Sequence, residues 1–105
     1  MTSETDALWL DEHRVVSLAE LVDLSGLTEG ELVELVQHEL IPLRSAPGQS
    51  WVFNARVVTV ARQACRLRNE LELDMSGLAV AMRLLERVRG LEDEIARLRA
   101  LLPRG

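Results

Sequence analysis

Apolar positions in the first half of the chain recur at three- and four-residue intervals over two short stretches parted by a glycine. The segment, residues 17–43, reads SLAELVDLSGLTEGELVELVQHELIPL, and Leu18, Leu21, Leu24, Leu32, Leu35 and Val36 supply one helical face. Each helix carries its own start signal. Ser17 with Glu20, and Thr28 with Glu31, fit capping boxes, in which the hydroxyl accepts one backbone N–H and the glutamate accepts another. Val16 with Leu21, and Leu27 with Leu32, stand where hydrophobic staples fix the angle of entry. Gly26 falls where the backbone must reverse. The pattern predicts a helix-turn-helix.

Ile41-Pro42 ends the second helix, because proline disfavours helical backbone in the residue before it. Pro47-Gly48 then marks a turn, and the flanking residues 43–45 and 50–53 predict a β-hairpin wing whose Trp51 and Phe53 cover the core. Asn54 suits the N-cap of a third helix over about 55–72, with Val57, Val60, Ala61, Ala64, Cys65, Leu67 and Leu71 on its buried side. Asp74 or Ser76 caps a fourth helix over about 75–102. Along it Leu84, Val88, Leu91, Ile95, Leu98 and Leu102 form the a/d seam of a coiled coil. A seam this short is marginal alone, so it predicts a homodimer through paired helices. Upstream, residues 7–10 and 14–16 are β-prone and can pair as a small hairpin or an edge strand, with Trp9 folded onto the helices. The expected architecture is mainly α: a winged helix-turn-helix domain over residues 1–73, then a dimerising helix over 74–105.

Charge changes this picture. A helix-turn-helix ordinarily offers its second helix to the DNA major groove, beside phosphates. Here the two helices and their turns hold Glu20, Asp23, Glu29, Glu31, Glu34 and Glu39 with no lysine or arginine, a surface that a duplex would repel. Residues 1–43 carry ten acids against Arg14 alone, whereas residues 44–105 carry seven acids against eleven arginines. The net charge of −5 also argues against generic nucleic-acid or acidic-membrane binding. Arg56, Arg62, Arg66 and Arg68 are expected on a solvated face of the third helix, partly paired with Glu70 and Glu72.

Candidate chemistry is sparse. The sequence has no phosphate-cradling glycine loop and no G-x-S-x-G turn, and His13 and His38 stand far apart. Asp11, Glu12 and His13 are consecutive, and neighbours in sequence rarely converge on one ion, so no metal or cofactor is expected. Cys65, the single cysteine, excludes an internal disulfide and reads as a small core residue. No apolar run approaches the roughly 20 residues of a membrane span, and the acidic start lacks the basic region of a secretory signal. These features predict a cytoplasmic, non-enzymatic protein.

The order helix-turn-helix, wing, helix, coiled coil resembles that of MerR-like regulators. A more specific resemblance is to the chaperone modulator family CbpM. It is carried by Trp51-Val52-Phe53, by the run Arg66-Leu67-Arg68-Asn69-Glu70-Leu71-Glu72-Leu73-Asp74, and by Gly77-Leu78-Ala79-Val80-Ala81-Met82 leading into the helix with Leu91 and Leu98-Arg99. This resemblance implies a dimeric adaptor that binds the J-domain of a DnaJ-like co-chaperone, CbpA, and inhibits both its cooperation with the chaperone DnaK and its DNA binding. In the family picture J-domains engage DnaK through a basic helix, so an acidic face would compete for that helix by charge complementarity. The residues expected to form the face are Asp23, Glu29, Glu31, Glu34 and His38. The competing expectation, a MerR-like DNA-binding transcriptional regulator, would need Arg44, Arg56 and Arg62 as phosphate contacts.

Overall fold

The computed structural model describes residues 14–103, which form four helices and a two-stranded sheet. The elements are β1 (Val15–Ser17), α1 (Leu18–Ser25), α2 (Glu29–Gln37), β2 (Val52–Asn54), α3 (Val57–Leu71) and α4 (Met75–Ala100). The upstream pieces around Trp9, and Asp11 to His13, lie outside the described residues.

Both capping boxes close. Ser17 Oγ accepts the Glu20 N–H at 3.1 Å while Glu20 Oε1 accepts the Ser17 N–H at 3.1 Å. Thr28 and Glu31 repeat the arrangement at 3.1 and 3.0 Å. The four staple residues Val16, Leu21, Leu27 and Leu32 are all buried, so each helix is seated at its entrance by apolar contact as well as by its cap. Gly26 ends α1 in the left-handed region at φ 84°, and a Cβ there would stand 3.1 Å from Cys65 Sγ. The turn therefore needs glycine twice over, for its dihedral and for the closeness of α3.

A single core joins the elements. Phe53, Leu21, Leu32, Leu35, Ala61, Ala64 and Leu78 are fully buried, and Ile41, Val57 and Met82 complete the cluster. The first turns of α4 thus belong to the core. Two expected core positions do not: Leu24 is 40% exposed and Leu71 is 60% exposed. Each sits in the last turn of its helix.

The sheet is antiparallel, but its strands are not the two arms of the expected wing. β2 pairs with β1, with Val16 opposite Phe53 and Ser17 opposite Val52. Residues 43–45 form no strand. Arg44 donates its N–H to the Val52 carbonyl at 2.8 Å, and the Ser45 hydroxyl accepts the Val52 N–H at 3.2 Å, occupying a donor that a ladder would have used. The wing is a closed loop tied to β2 at this one residue. Its aromatic pair sits as expected, Phe53 buried and Trp51 half-buried, edge to face with centroids 6.2 Å apart.

Helix α3 starts two residues later than the sequence suggests. Asn54 Oδ1 accepts the Arg56 N–H at 2.9 Å, which makes an Asx turn ahead of the helix rather than a cap on it. Asp74 caps α4, accepting the Gly77 N–H at 2.8 Å. Both α2 and α3 end with a glutamate in the left-handed region, Glu39 at φ 59° and Glu72 at φ 51°. At Glu39 the Leu40 N–H returns to the Leu35 carbonyl and the Glu39 N–H to the Val36 carbonyl, the Schellman arrangement that glycine usually occupies.

Candidate functional site

The acidic helices owe their placement to the basic half of the chain. Arg62 of α3 donates Nε to the Leu24 carbonyl at 2.9 Å, satisfying an acceptor in the last turn of α1. Arg68 of α3 forms an ion pair with Glu31 of α2. Arg83 of α4 donates to the His38 carbonyl at 2.9 Å, at the end of α2. Arg68 turns to α2 rather than to Glu72, the partner that its i,i+4 spacing suggests. Three arginines of the basic half thus reach the acidic one, one through an ion pair and two through backbone carbonyls.

Glu31 occupies the centre of this arrangement. Its Oε1 accepts the Thr28 N–H and also receives the Arg68 guanidinium, and its side chain is only 18% exposed. Burial raises its pKa, yet the hydrogen bonds from Arg68 and Thr28 and the charge of Arg68 outweigh that effect and hold the carboxyl below its ordinary value. Glu31 is therefore ionised and already engaged.

The other expected site residues lie in the open. Asp23 on α1, Glu29 and Glu34 on α2, and His38 at the C-cap of α2 are all exposed. Glu34 and His38 are one turn apart and share the solvent face of α2 with Gly30 and Gln37, while Leu32 and Leu35 face the core. Sequence reasoning placed Arg68 on a solvated face and did not link it to Glu31, which it fixes. The two are 37 residues apart and no local pattern links them.

Among the described residues no group of three or more His, Cys, Asp or Glu side chains converges as a metal site. Cys65 is half-buried, 3.7 Å from both the Arg68 guanidinium and the Asn69 amide. A groove of about 470 Å³ runs beside the end of α2, lined by Val36, Glu39, Leu40, Ile41, Pro42, Leu43 and Glu86. No helix among the described residues is long and apolar enough to cross a membrane.

Beyond residue 83, α4 leaves the core. Leu84, Val88, Leu91, Ile95, Leu98 and Leu102 are 40 to 67% exposed and form an apolar seam open to solvent.

A helix-turn-helix with a short wing and a long trailing helix defines a class, and the profile described as MerR HTH family regulatory protein matches residues 16–100. Within that class, the chain is 38% identical over 80 residues to the chaperone modulatory protein CbpM of Escherichia coli strain SE11, covering 76% of this chain and 79% of the relative. The same figures hold for the chaperone modulatory protein CbpM of Shigella boydii serotype 18. The chain belongs to the CbpM family of MerR-like helix-turn-helix proteins.

Proposed function

We propose that this protein is a non-enzymatic chaperone modulator: a cytoplasmic, homodimeric adaptor that binds the J-domain of a DnaJ-like, CbpA-like co-chaperone. By occupying the basic helix of the J-domain it inhibits cooperation with DnaK, and it also inhibits DNA binding by the co-chaperone. The observation that carries this reading is the solvent face of the helix-turn-helix. Asp23, Glu29 and Glu34 stand exposed there without a basic neighbour on either helix. Such a face disfavours phosphates and suits a basic helix. Glu31 contributes through its position, with Arg68 holding it at the edge of the face. His38 extends the face toward the end of α2. The exposed seam from Leu84 to Leu102 supports pairing of two copies through α4.

Charge reversal tests the reading. The double variant Glu29→Lys, Glu34→Lys should lower affinity for a purified J-domain at least about tenfold, two or more pairs at roughly 0.2–1 kcal/mol each plus new repulsion. Helicity by circular dichroism should not change. Undiminished J-domain affinity would move the site off this face. Tight binding of duplex DNA by the wild-type chain, with a steep salt slope, would replace the reading with that of a transcriptional regulator.

A further inference from the structure

The groove of about 470 Å³ opens where the acidic face of α2 ends, and its walls come from the end of α2 and from α4. Val36, Leu40, Ile41 and Leu43 give it an apolar floor, and Glu39 and Glu86 are its two acids. A smaller cavity of about 90 Å³ adjoins it at Leu40 and Glu86 and continues the apolar lining with Val60 and Met82. The walls are clipped together where Arg83 of α4 donates to the His38 carbonyl at 2.9 Å. Glu39 follows His38 in the chain, and Glu86 lies about one helical turn beyond Arg83, so the clip brings the two glutamates to one opening.

Neither acid is engaged by a base of its own chain. Among the described residues Glu39 and Glu86 make no ion pair, and the two nearby arginines of α4 turn elsewhere, Arg83 to the His38 carbonyl and Arg89 to the Gln63 side chain. Glu39 also stands at φ 59°, where a glycine is conformationally cheaper. Glu72 shares that backbone conformation but does not line the groove, so the strain counts only together with the opening that Glu39 borders.

We infer that this groove is a binding site for one long basic side chain of the partner protein, a lysine or arginine whose alkyl stem lies along Leu40 and Leu43 and whose cationic head lies between Glu39 and Glu86. The inference rests on the J-domain partner proposed above and extends its contact beyond His38. Charge and polarity together select the occupant. A wholly apolar side chain would cover the floor but strip water from two carboxylates and put nothing in its place. An acidic side chain is repelled. Lysine and arginine satisfy both parts of the groove, because each carries a charged head on an apolar stem of about three or four carbons. The opening begins one residue past His38, so a basic helix lying along Glu34 and His38 arrives at it without changing direction.

Isothermal titration of a purified CbpA-like J-domain into the wild type, Glu39→Gly, Glu86→Gln and Glu72→Gly tests the site. Glu39→Gly and Glu86→Gln should each weaken binding about two- to fivefold, the effect of one exposed charge pair. Glu72→Gly removes the same charge and relieves the same backbone conformation away from the groove, and should stay within about 1.5-fold of the wild type. Glu39→Gly should lose affinity while its thermal midpoint does not fall, which separates lost binding from lost folding. Wild-type affinity in both groove variants, or an equal loss in Glu72→Gly, overturns the proposal. A wild-type chain that fails to bind the J-domain removes the partner reading instead, and a second measurement then judges the groove by itself. N-acetyl-arginine methylamide, titrated into the isotope-labelled chain and followed by NMR, should shift the amides of Leu40, Leu43 and Glu86 and bind about threefold tighter than the norleucine analogue. An equal response to both compounds makes the groove merely apolar, and amides unmoved by either leave it to a second copy of the chain; each of these results overturns the proposal.

Discussion

Arg68 closes on the same Glu31 oxygen that accepts the Thr28 amide, so one carboxylate both starts α2 and ties it to α3. Replacing that carboxylate by an amide keeps an acceptor for the cap but leaves a partly buried guanidinium without its counter-charge. Glu31→Gln should therefore lower stability by about 1–2 kcal/mol near neutral pH, measured by urea unfolding. Folding depresses the pKa of Glu31 below 4.5, so its contribution is present above that value and is lost as pH falls through the lower folded value. The gap between wild type and variant should narrow on acidification below about pH 4.5. A gap that stays constant down to about pH 3 would mean that the ion pair adds no stability.

Gly26 combines a left-handed backbone with close approach to Cys65. Gly26→Ala should cost about 1–3 kcal/mol, the strain of φ 84° plus the crowding of Sγ. Trimming the other side with Cys65→Ala relieves only the crowding. The double variant should therefore lose less than the sum of the two single losses, by about 0.5 kcal/mol or more in a double-mutant cycle. Strict additivity would leave the backbone dihedral as the whole cost.

Glu39 is a side chain where a glycine is conformationally cheaper, at φ 59° in a complete Schellman turn. Glu39→Gly should raise stability by about 0.5–1 kcal/mol, the relief of left-handed strain less the greater unfolded entropy of glycine. Thermal unfolding would reveal it as a rise of a few degrees. A fall in the midpoint would instead assign Glu39 a favourable contact in the groove beside Leu40 and Glu86.

Salt gives an independent test of the proposed J-domain face. Exposed charges are screened within about 10 Å at 0.1 M salt, so affinity should fall several-fold between about 0.05 and 0.5 M sodium chloride. Isothermal titration would report it, and the Glu29→Lys, Glu34→Lys variant should have a flatter dependence. An affinity insensitive to salt would point to apolar recognition.

Local chemistry was legible from the residues, and long-range pairing was not. Both capping boxes, the staples, the Gly26 turn, the Asp74 cap and the seam of α4 depend on residues within a few positions of one another, and their side-chain types announce them. The pairing of β1 with β2 joins Val16 to Phe53, and a three-residue strand of either carries no mark of its partner. The expected first arm of the wing, residues 43–45, forms no strand for a related reason: the Ser45 hydroxyl, not a backbone carbonyl, took the Val52 amide. Arginines on α3 looked like a solvated face because intrahelical acids stood at suitable spacing. The structure turns Arg62 and Arg68 to α1 and α2 instead, where buried or carbonyl acceptors outcompete exposed carboxylates. The family resemblance was carried mainly by the run from Arg66 to Met82, whose polar residues helix packing alone does not dictate.

Ser17 is the last residue of β1, opposite Val52, and also the cap of α1. Fraying the sheet at this point uncaps the helix, and melting the first turn of α1 releases the strand. The two ends of the helix-turn-helix domain consequently open together as one cooperative unit rather than independently. Amides of α1 and β2 should then exchange with deuterium at a shared rate, even though residues 26–51 separate them in the chain.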